Sequence, residues 1–205
     1  MNVAKPFAAI SSGVDADVLV ALAGSTRPRS GRELARRAGR SNTGVQHVLE
    51  RLVEHGLVNQ IEAGRTNLYT LNWDHLLAPA VEQMAGAREE LTERLRDAIG
   101  AWGVPAVHAS LFGSAARGDG DAASDIDLFI VRPAATGADD PAWREQVDRL
   151  AESVRSWTGN SASVADVSEE ELHRLQKDRP PIMEELKHDA VDLFGQSTRG
   201  LLRQL

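Results

Sequence analysis

The chain has 205 residues, of which 42% are hydrophobic and 26% charged, and its formal net charge is −7. It contains no cysteine, which excludes disulfides, thiolate metal sites and cysteine nucleophiles. No apolar run approaches the roughly 20 residues of a membrane helix, and the first ten residues lack the apolar segment and cleavage site of a signal peptide. We therefore expect a cytoplasmic protein with no membrane partner.

The charge is unevenly divided along the chain. Residues 1–72 carry a formal charge of +3, whereas residues 73–205 carry −10. This contrast favours two modules with different partners. We place the modules and their connection at residues 10–72 (front module), 73–104 (connecting helix) and 105–196 (rear module).

The front module has the pattern of three helices followed by a β-hairpin. Helices are predicted at 15–24, 30–39 and 41–56, and strands at 57–62 and 66–71. Ser30 and Glu33 have the spacing of a capping box at the start of the second helix. The third helix has one apolar stripe, formed by Val45, Val48, Leu49, Leu52 and Val53. Gly64 lies in the turn between the two strands.

In this order, with a short turn between the second and third helices, these elements resemble the winged helix-turn-helix of small bacterial transcription regulators. The resemblance implies that the helix beginning at Ser41 enters the major groove of double-stranded DNA. Polar side chains off the apolar stripe would reach base edges, and arginines would contact phosphates or the minor groove. The candidate DNA-binding residues are Arg40, Ser41, Asn42, Thr43, Gln46, His47 and Arg65. A protein-interaction or dimerisation role is the alternative, because Glu50 and Glu54 interrupt the basic character of this face.

The connecting segment 73–104 is helical in composition from about Pro79, since proline suits the first turn of a helix. Its apolar residues are spaced for one buried face: Val81, Met84, Leu91, Leu95 and Ile99. Two interpretations stay open. The helix either begins the rear module and packs on its sheet, or it forms a homodimer.

Two aspartates interrupt an apolar run in the stretch 111–131, LFGSAARGDGDAASDIDLFIV. A strand is predicted at 125–131. Because alternate residues of a strand project to the same face, Asp125 and Asp127 lie side by side. Two adjacent carboxylates repel each other, and a divalent cation is the most economical compensation. Oxygen ligands favour Mg²⁺ or Mn²⁺ over zinc.

Gly113 and Ser114 directly follow another predicted strand, at 107–112. The glycine allows a ligand to approach the backbone closely, and the next amides and the serine hydroxyl can hold phosphate oxygens. Asp125 follows Gly113 by 12 residues, which is enough for a turn and a return in a neighbouring strand. A phosphate site beside a metal pair is what nucleotidyl transfer requires.

The pattern GSAARG…SDIDL resembles the signature of the nucleotidyltransferase superfamily, and most closely its minimal nucleotidyltransferase domains. The residues that carry the resemblance are Gly113, Ser114, Arg117, Gly118, Ser124, Asp125 and Asp127. The resemblance implies a nucleoside triphosphate as substrate. It would be bound at the residues Gly113, Ser114, Arg117 and Ser124. The resemblance also implies a third carboxylate on a later strand, which completes the metal site and acts as general base.

Asp166 is the candidate for the third carboxylate. A helix is predicted at 141–159 and a strand at 161–168, and Asp166 interrupts that strand among valines and alanine. The predicted catalytic and metal-binding set is therefore Asp125, Asp127 and Asp166. The alternative for Asp166 is a surface residue at the end of the strand. The chain from residue 169 is predicted to form a closing helix that ends in a short apolar strand.

These patterns predict an α+β protein: an N-terminal winged helix-turn-helix, then a nucleotidyltransferase-fold α/β domain with a small mixed sheet. As an enzyme, it would transfer a nucleoside monophosphate from a triphosphate to a hydroxyl of a small molecule, a protein or RNA. The resemblance to minimal domains favours a protein acceptor. As a transcription regulator, for example of toxin–antitoxin type, it would use the rear module to sense a nucleotide or partner without turnover.

Overall fold

The computed structural model describes residues 1–2, 5–9, 13–121 and 123–203, so the predicted start of the front module at residue 10 lies outside the described residues. The chain divides into two compact units. The front unit is Lys5–Ala87, and the rear unit is Arg88–Leu205 with Met1–Ala4. Within the described ranges, no helix is both long enough and apolar enough to cross a membrane.

The front unit contains four α-helices and a small sheet in its described part. The helices are α1 (Val14–Ala23), α2 (Gly31–Ala38), α3 (Asn42–Glu54) and α4 (Ala78–Ala85), preceded by a 3₁₀ turn at Pro6–Ala9. The strands are β1 (Arg29–Ser30), β2 (Val58–Ala63) and β3 (Thr66–Leu71). They pair antiparallel in the order β1-β3-β2. The three helices and the hairpin predicted here are confirmed, whereas β1 was not predicted.

Local signals account for the helix boundaries of the front unit. The Ser30 hydroxyl accepts a hydrogen bond from the Glu33 amide at 3.3 Å, and the Glu33 carboxylate accepts one from the Ser30 amide at 3.0 Å. This capping box starts α2 and lowers the pKa of Glu33. Gly39 ends α2 in the left-handed conformation. Helix α1 begins one residue earlier than predicted, since its N-cap is Gly13 and Asp15 lies in the first turn.

The rear unit contains a four-stranded mixed sheet. Its helices are α5 (Ala87–Gly100), α6 (Gly113–Arg117), α7 (Pro141–Thr158), α8 (Glu169–Asp178), α9 (Pro181–Asp189) and α10 (Thr198–Arg203). Its strands are β4 (His108–Phe112), β5 (Ile126–Arg132), β6 (Ala162–Ser168) and β7 (Val191–Gly195). The order is β6-β5-β4-β7, with β5 and β6 parallel and the other pairs antiparallel. The predicted fold class is confirmed.

The two faces of this sheet bury different residues of β5. Ile126, Leu128 and Ile130 belong to one core cluster, which also contains Leu91, Leu95 and Ile99 of α5 and Trp143, Leu150 and Val154 of α7. Phe129 and Val131 belong to a second cluster, which also contains Leu172 of α8 and Met183 and Leu186 of α9. One face is therefore covered by α5 and α7, and the opposite face by α8 and α9.

Two predicted helices are each divided in the structure. The segment 73–104 holds α4 and α5, which belong to different units and are separated at Gly86. Helix α5 packs on the sheet of the rear unit, as one of the two interpretations expected. The closing helix is divided into α8 and α9 at Arg179, which has a φ of 47° and precedes two prolines. Proline disfavours the helical conformation of the residue that precedes it, so the chain turns at Arg179.

Candidate active site

The turn after β4 lies directly against Asp127. Helix α6 begins at Gly113 as soon as β4 ends, and Gly113 has a φ of +67°. The neighbouring strand β5 places Asp127 opposite Phe112. A Cβ atom at Gly113 would collide with the Asp127 carboxylate. Glycine is therefore required here for two reasons, the left-handed backbone and the close approach of a carboxylate.

Asp127 carries a negative charge that the protein does not fully compensate. Burial raises the pKa of Asp127, and the charges of Asp125 and Glu185 raise it further. The Ser163 hydroxyl and the Arg117 guanidinium act in the opposite direction without cancelling the shift. A positive ligand next to this carboxylate would therefore be stabilised.

Asp166, the predicted third carboxylate, does not lie beside this pair in the structure. In the parallel register of β5 and β6, Asp127 lies beside Ser163, whereas Asp166 lies beside Ile130. Paired residues of neighbouring strands project to the same face, and the face alternates along each strand. Asp166 thus projects to the α7 side of the sheet, and Asp127 to the opposite side.

The contacts of Asp166 agree with this placement. One of its carboxylate oxygens accepts a hydrogen bond from the Trp143 indole at 3.0 Å, and the other accepts one from Arg132 at 2.9 Å. The Arg132 guanidinium also donates to Glu171 at 2.8 Å. Trp143 is fully buried, and the Arg132 side chain is only 7% exposed. Asp166 therefore links β5, β6 and α7.

Two residues beside Asp127 were missed by sequence reasoning. Ser163 occupies the position on β6 that the third carboxylate was expected to fill. Glu185 of α9 acts electrostatically on Asp127 and is exposed. Neither carries a local signal, since a strand serine and a helix glutamate are common surface residues. In the part of the chain that is described, no three acidic or histidine side chains already form a group that could hold a metal ion.

The predicted nucleotide-binding residues Arg117 and Ser124 have partners within the protein. Arg117 donates to Asp189 at 2.7 Å and to Asp119 at 3.0 Å, which raises the pKa of Arg117 further. The Ser124 hydroxyl donates to Asp121 at 3.0 Å and accepts from the Asp121 amide. Ser124 thus orders the loop that delivers Asp125 to the site. Arg117 joins α6 to the end of α9.

The front unit presents a smaller set of free polar groups than its sequence suggested. Asn42, Thr43 and His47 on α3 and Arg65 in the hairpin turn are exposed, and the His47 imidazole lies 3.7 Å from the Glu50 carboxylate. The other three predicted residues have structural contacts. The Ser41 hydroxyl caps α3 by accepting from the Gly44 amide at 3.2 Å, Arg40 is paired with Asp17 at 2.6 Å, and Gln46 donates to the Tyr69 hydroxyl at 3.3 Å. The DNA-facing role of all seven stays a prediction.

Comparisons with known families match both parts of the chain. Residues 12–72 match the family model described as the sugar-specific transcriptional regulator TrmB, and residues 92–193 match that of the nucleotidyltransferase domain. No curated protein and no solved structure matches the chain significantly. The first range covers α1 to β3. The second contains Gly113, Asp125 and Asp127.

Proposed function

Since the chain carries a TrmB-type helix-turn-helix domain followed by a nucleotidyltransferase domain, we propose that it is a Mg²⁺- or Mn²⁺-dependent nucleotidyltransferase whose front domain binds double-stranded DNA. The observation that carries the enzymatic part is the packing of the Asp127 carboxylate against Gly113, beside Asp125. Asp125 and Asp127 form a negative pair where β5 begins, next to the Gly-Ser turn. Such a pair is suited to a cation that arrives with a triphosphate.

Asp125 and Asp127 suit Mg²⁺ because this ion is commonly held by one or two carboxylates together with substrate phosphates. The raised pKa of Asp127 supports this assignment, since a cation would offset the repulsion that causes part of the shift. When bound, the ion would neutralise charge on the triphosphate. Asp166 takes no part, because its carboxylate lies on the other face of the sheet.

The proposed reaction forms a bond between the acceptor oxygen and the α-phosphorus of the triphosphate. The bond from that phosphorus to the bridging oxygen breaks, and pyrophosphate leaves with the electron pair. The acceptor hydroxyl gives its proton to solvent water. Within the chain, Asp125 and Asp127 would hold the cation, which would supply charge neutralisation to the triphosphate, and the turn at Gly113 lets the backbone lie close to the Asp127 carboxylate.

The test is incubation of the pure protein with Mg²⁺ and each α-labelled triphosphate. We expect label transfer or metal-dependent nucleotide binding that falls by at least about 100-fold in the double variant Asp125→Ala/Asp127→Ala, because both proposed metal ligands are lost. Asp148→Ala is the matched control, since Asp148 is an exposed acid on α7. If the wild type neither binds nor transfers any nucleotide, the enzyme proposal is wrong.

A second candidate function is a transcription regulator that binds nucleotide without turnover. It is favoured by one observation: β6 brings Ser163, and not a carboxylate, next to Asp127. The same labelling experiment separates the two functions. Metal-dependent nucleotide binding without transfer to a protein, RNA or small-molecule acceptor would favour the regulator.

The DNA-binding part predicts that Arg65→Ala weakens binding to a mixed-sequence duplex and reduces the slope of log affinity against log salt by about one, because one phosphate contact is lost. Fluorescence anisotropy over a salt series measures this slope. The control is Arg149→Ala, an exposed arginine on α7. Equal slopes for both variants would show that the hairpin turn does not contact DNA.

A further inference from the structure

The sheet itself brings only two carboxylates to the proposed cation site. Ser163 lies beside Asp127, and the next acid along β6, Asp166, projects to the opposite face. The Asp166 carboxylate is also occupied by Arg132 and Trp143. A third acidic side chain at this site must therefore come from an element that packs over the Asp127 face.

Helix α9 packs on that face. Its residues Met183 and Leu186 share a core cluster with Phe112 and Phe129, which precede Gly113 and follow Asp127 in their strands. At the end of α9, the Asp189 carboxylate accepts a hydrogen bond from Arg117 of α6 at 2.7 Å. The helix is thus fixed both to the sheet and to the segment that carries the Gly-Ser turn.

Glu185 lies on the flank of α9 that faces α6. It precedes Asp189 by four residues, and residues four apart lie on the same side of a helix. Glu184 lies about 100° away around the helix, where it pairs with Lys187 at 3.9 Å and His188 at 3.7 Å. Among the ion pairs of the described residues, none involves Glu185. Among the described residues its charge is thus unpaired, on the side of α9 where Asp189 meets Arg117 of α6.

We propose that Glu185 is the third acidic side chain of the cation site, so that α9 completes what β6 does not. This inference rests on the proposed function, since it assigns a residue to the same cation. Glu185 is exposed and has a flexible side chain. Its carboxylate is free to approach Asp125 and Asp127 once a cation offsets the repulsion among the three anions.

The test is the affinity of the full chain for Mn²⁺, measured by electron paramagnetic resonance with and without a non-hydrolysable ATP analogue. We expect Glu185→Gln to weaken Mn²⁺ binding about tenfold, because a charged member of the site is replaced by an isosteric neutral group. The matched control is Glu184→Gln, on the same turn of α9 but about 100° away around the helix, which should bind Mn²⁺ like the wild type. Both side chains are exposed, so both variants should fold.

Three outcomes decide the question. A selective loss in Glu185→Gln supports the inference. Equal Mn²⁺ affinity of Glu185→Gln and the wild type, together with loss of binding in Asp127→Asn, overturns the role of Glu185 and leaves the proposed function intact. No Mn²⁺ binding by the wild type, with or without nucleotide, overturns both.

Discussion

Replacing Asp166 by alanine is expected to lower the free energy of unfolding of the rear unit by about 2 to 3 kcal/mol and to leave Mn²⁺ affinity unchanged. The loss would leave the buried Arg132 with Glu171 as its remaining carboxylate partner, and the buried Trp143 indole without its acceptor. Urea denaturation followed by circular dichroism measures the stability, and Mn²⁺ titration measures the site. A variant as stable as the wild type that has lost Mn²⁺ binding would restore Asp166 to the metal site.

Asp127→Asn is the informative contrast to Asp166→Ala. Because burial and the charge of Asp125 raise the pKa of Asp127 in the folded protein, its ionised form opposes folding. The stability that protonated Asp127 contributes is fully present at acid pH and is lost as the pH rises through the pKa of Asp127. At neutral pH without metal, Asp127→Asn should therefore be at least as stable as the wild type while losing Mn²⁺ binding, the reverse of Asp166→Ala.

Gly113→Ala is expected to abolish metal-dependent nucleotide binding and to lower the free energy of unfolding by about 2 to 3 kcal/mol. The alanine would have to adopt a φ of +67°, and its Cβ would collide with the Asp127 carboxylate. Either the turn or the carboxylate must move, so the geometry of the site is lost. Thermal unfolding and nucleotide titration measure the two effects.

The control for Gly113→Ala is Gly159→Ala in the same unit. Gly159 has a φ of +75°, but the nearest atom to its added Cβ lies 4.0 Å away. This variant shows the cost of the backbone conformation alone, about 1 kcal/mol. If the two variants lost equal stability and both bound nucleotide normally, the contact between Gly113 and Asp127 would have no functional role.

Features set by neighbouring residues were accessible from the sequence. The capping box of Ser30 and Glu33, the apolar stripe of α3 and the Gly64 turn each depend on a few adjacent positions, and the structure contains all of them. Strand β1 was not accessible, because two residues are too few to show alternation. The division of the connecting segment at Gly86 also depended on which unit each half packs into.

The same distinction applies to the candidate site: features within one strand were accessible from the sequence, whereas the pairing between strands was not. The expectation that Asp125 and Asp127 lie on one face rests on alternation within a single strand, and the structure places Asp127 in β5 and Asp125 just before it. The choice between Ser163 and Asp166 required the register of β6 against β5, which pairs two strands far apart in the chain. The strand 161–168 has small or apolar residues on both faces, so its pattern could not show which face meets Asp127.

The Arg132–Asp166 pair changes how relatives of this chain should be compared. An aligned acid at position 166 would report that a relative keeps the same internal fastening of β5, β6 and α7, whether or not it catalyses a reaction. On the proposal that Glu185 completes the cation site, the informative columns for chemistry are 163 and 185. A relative with a carboxylate at position 163 would draw its third acid from the sheet and would be free to vary at 185, whereas one with a small residue at 163 would be expected to keep an acid on α9.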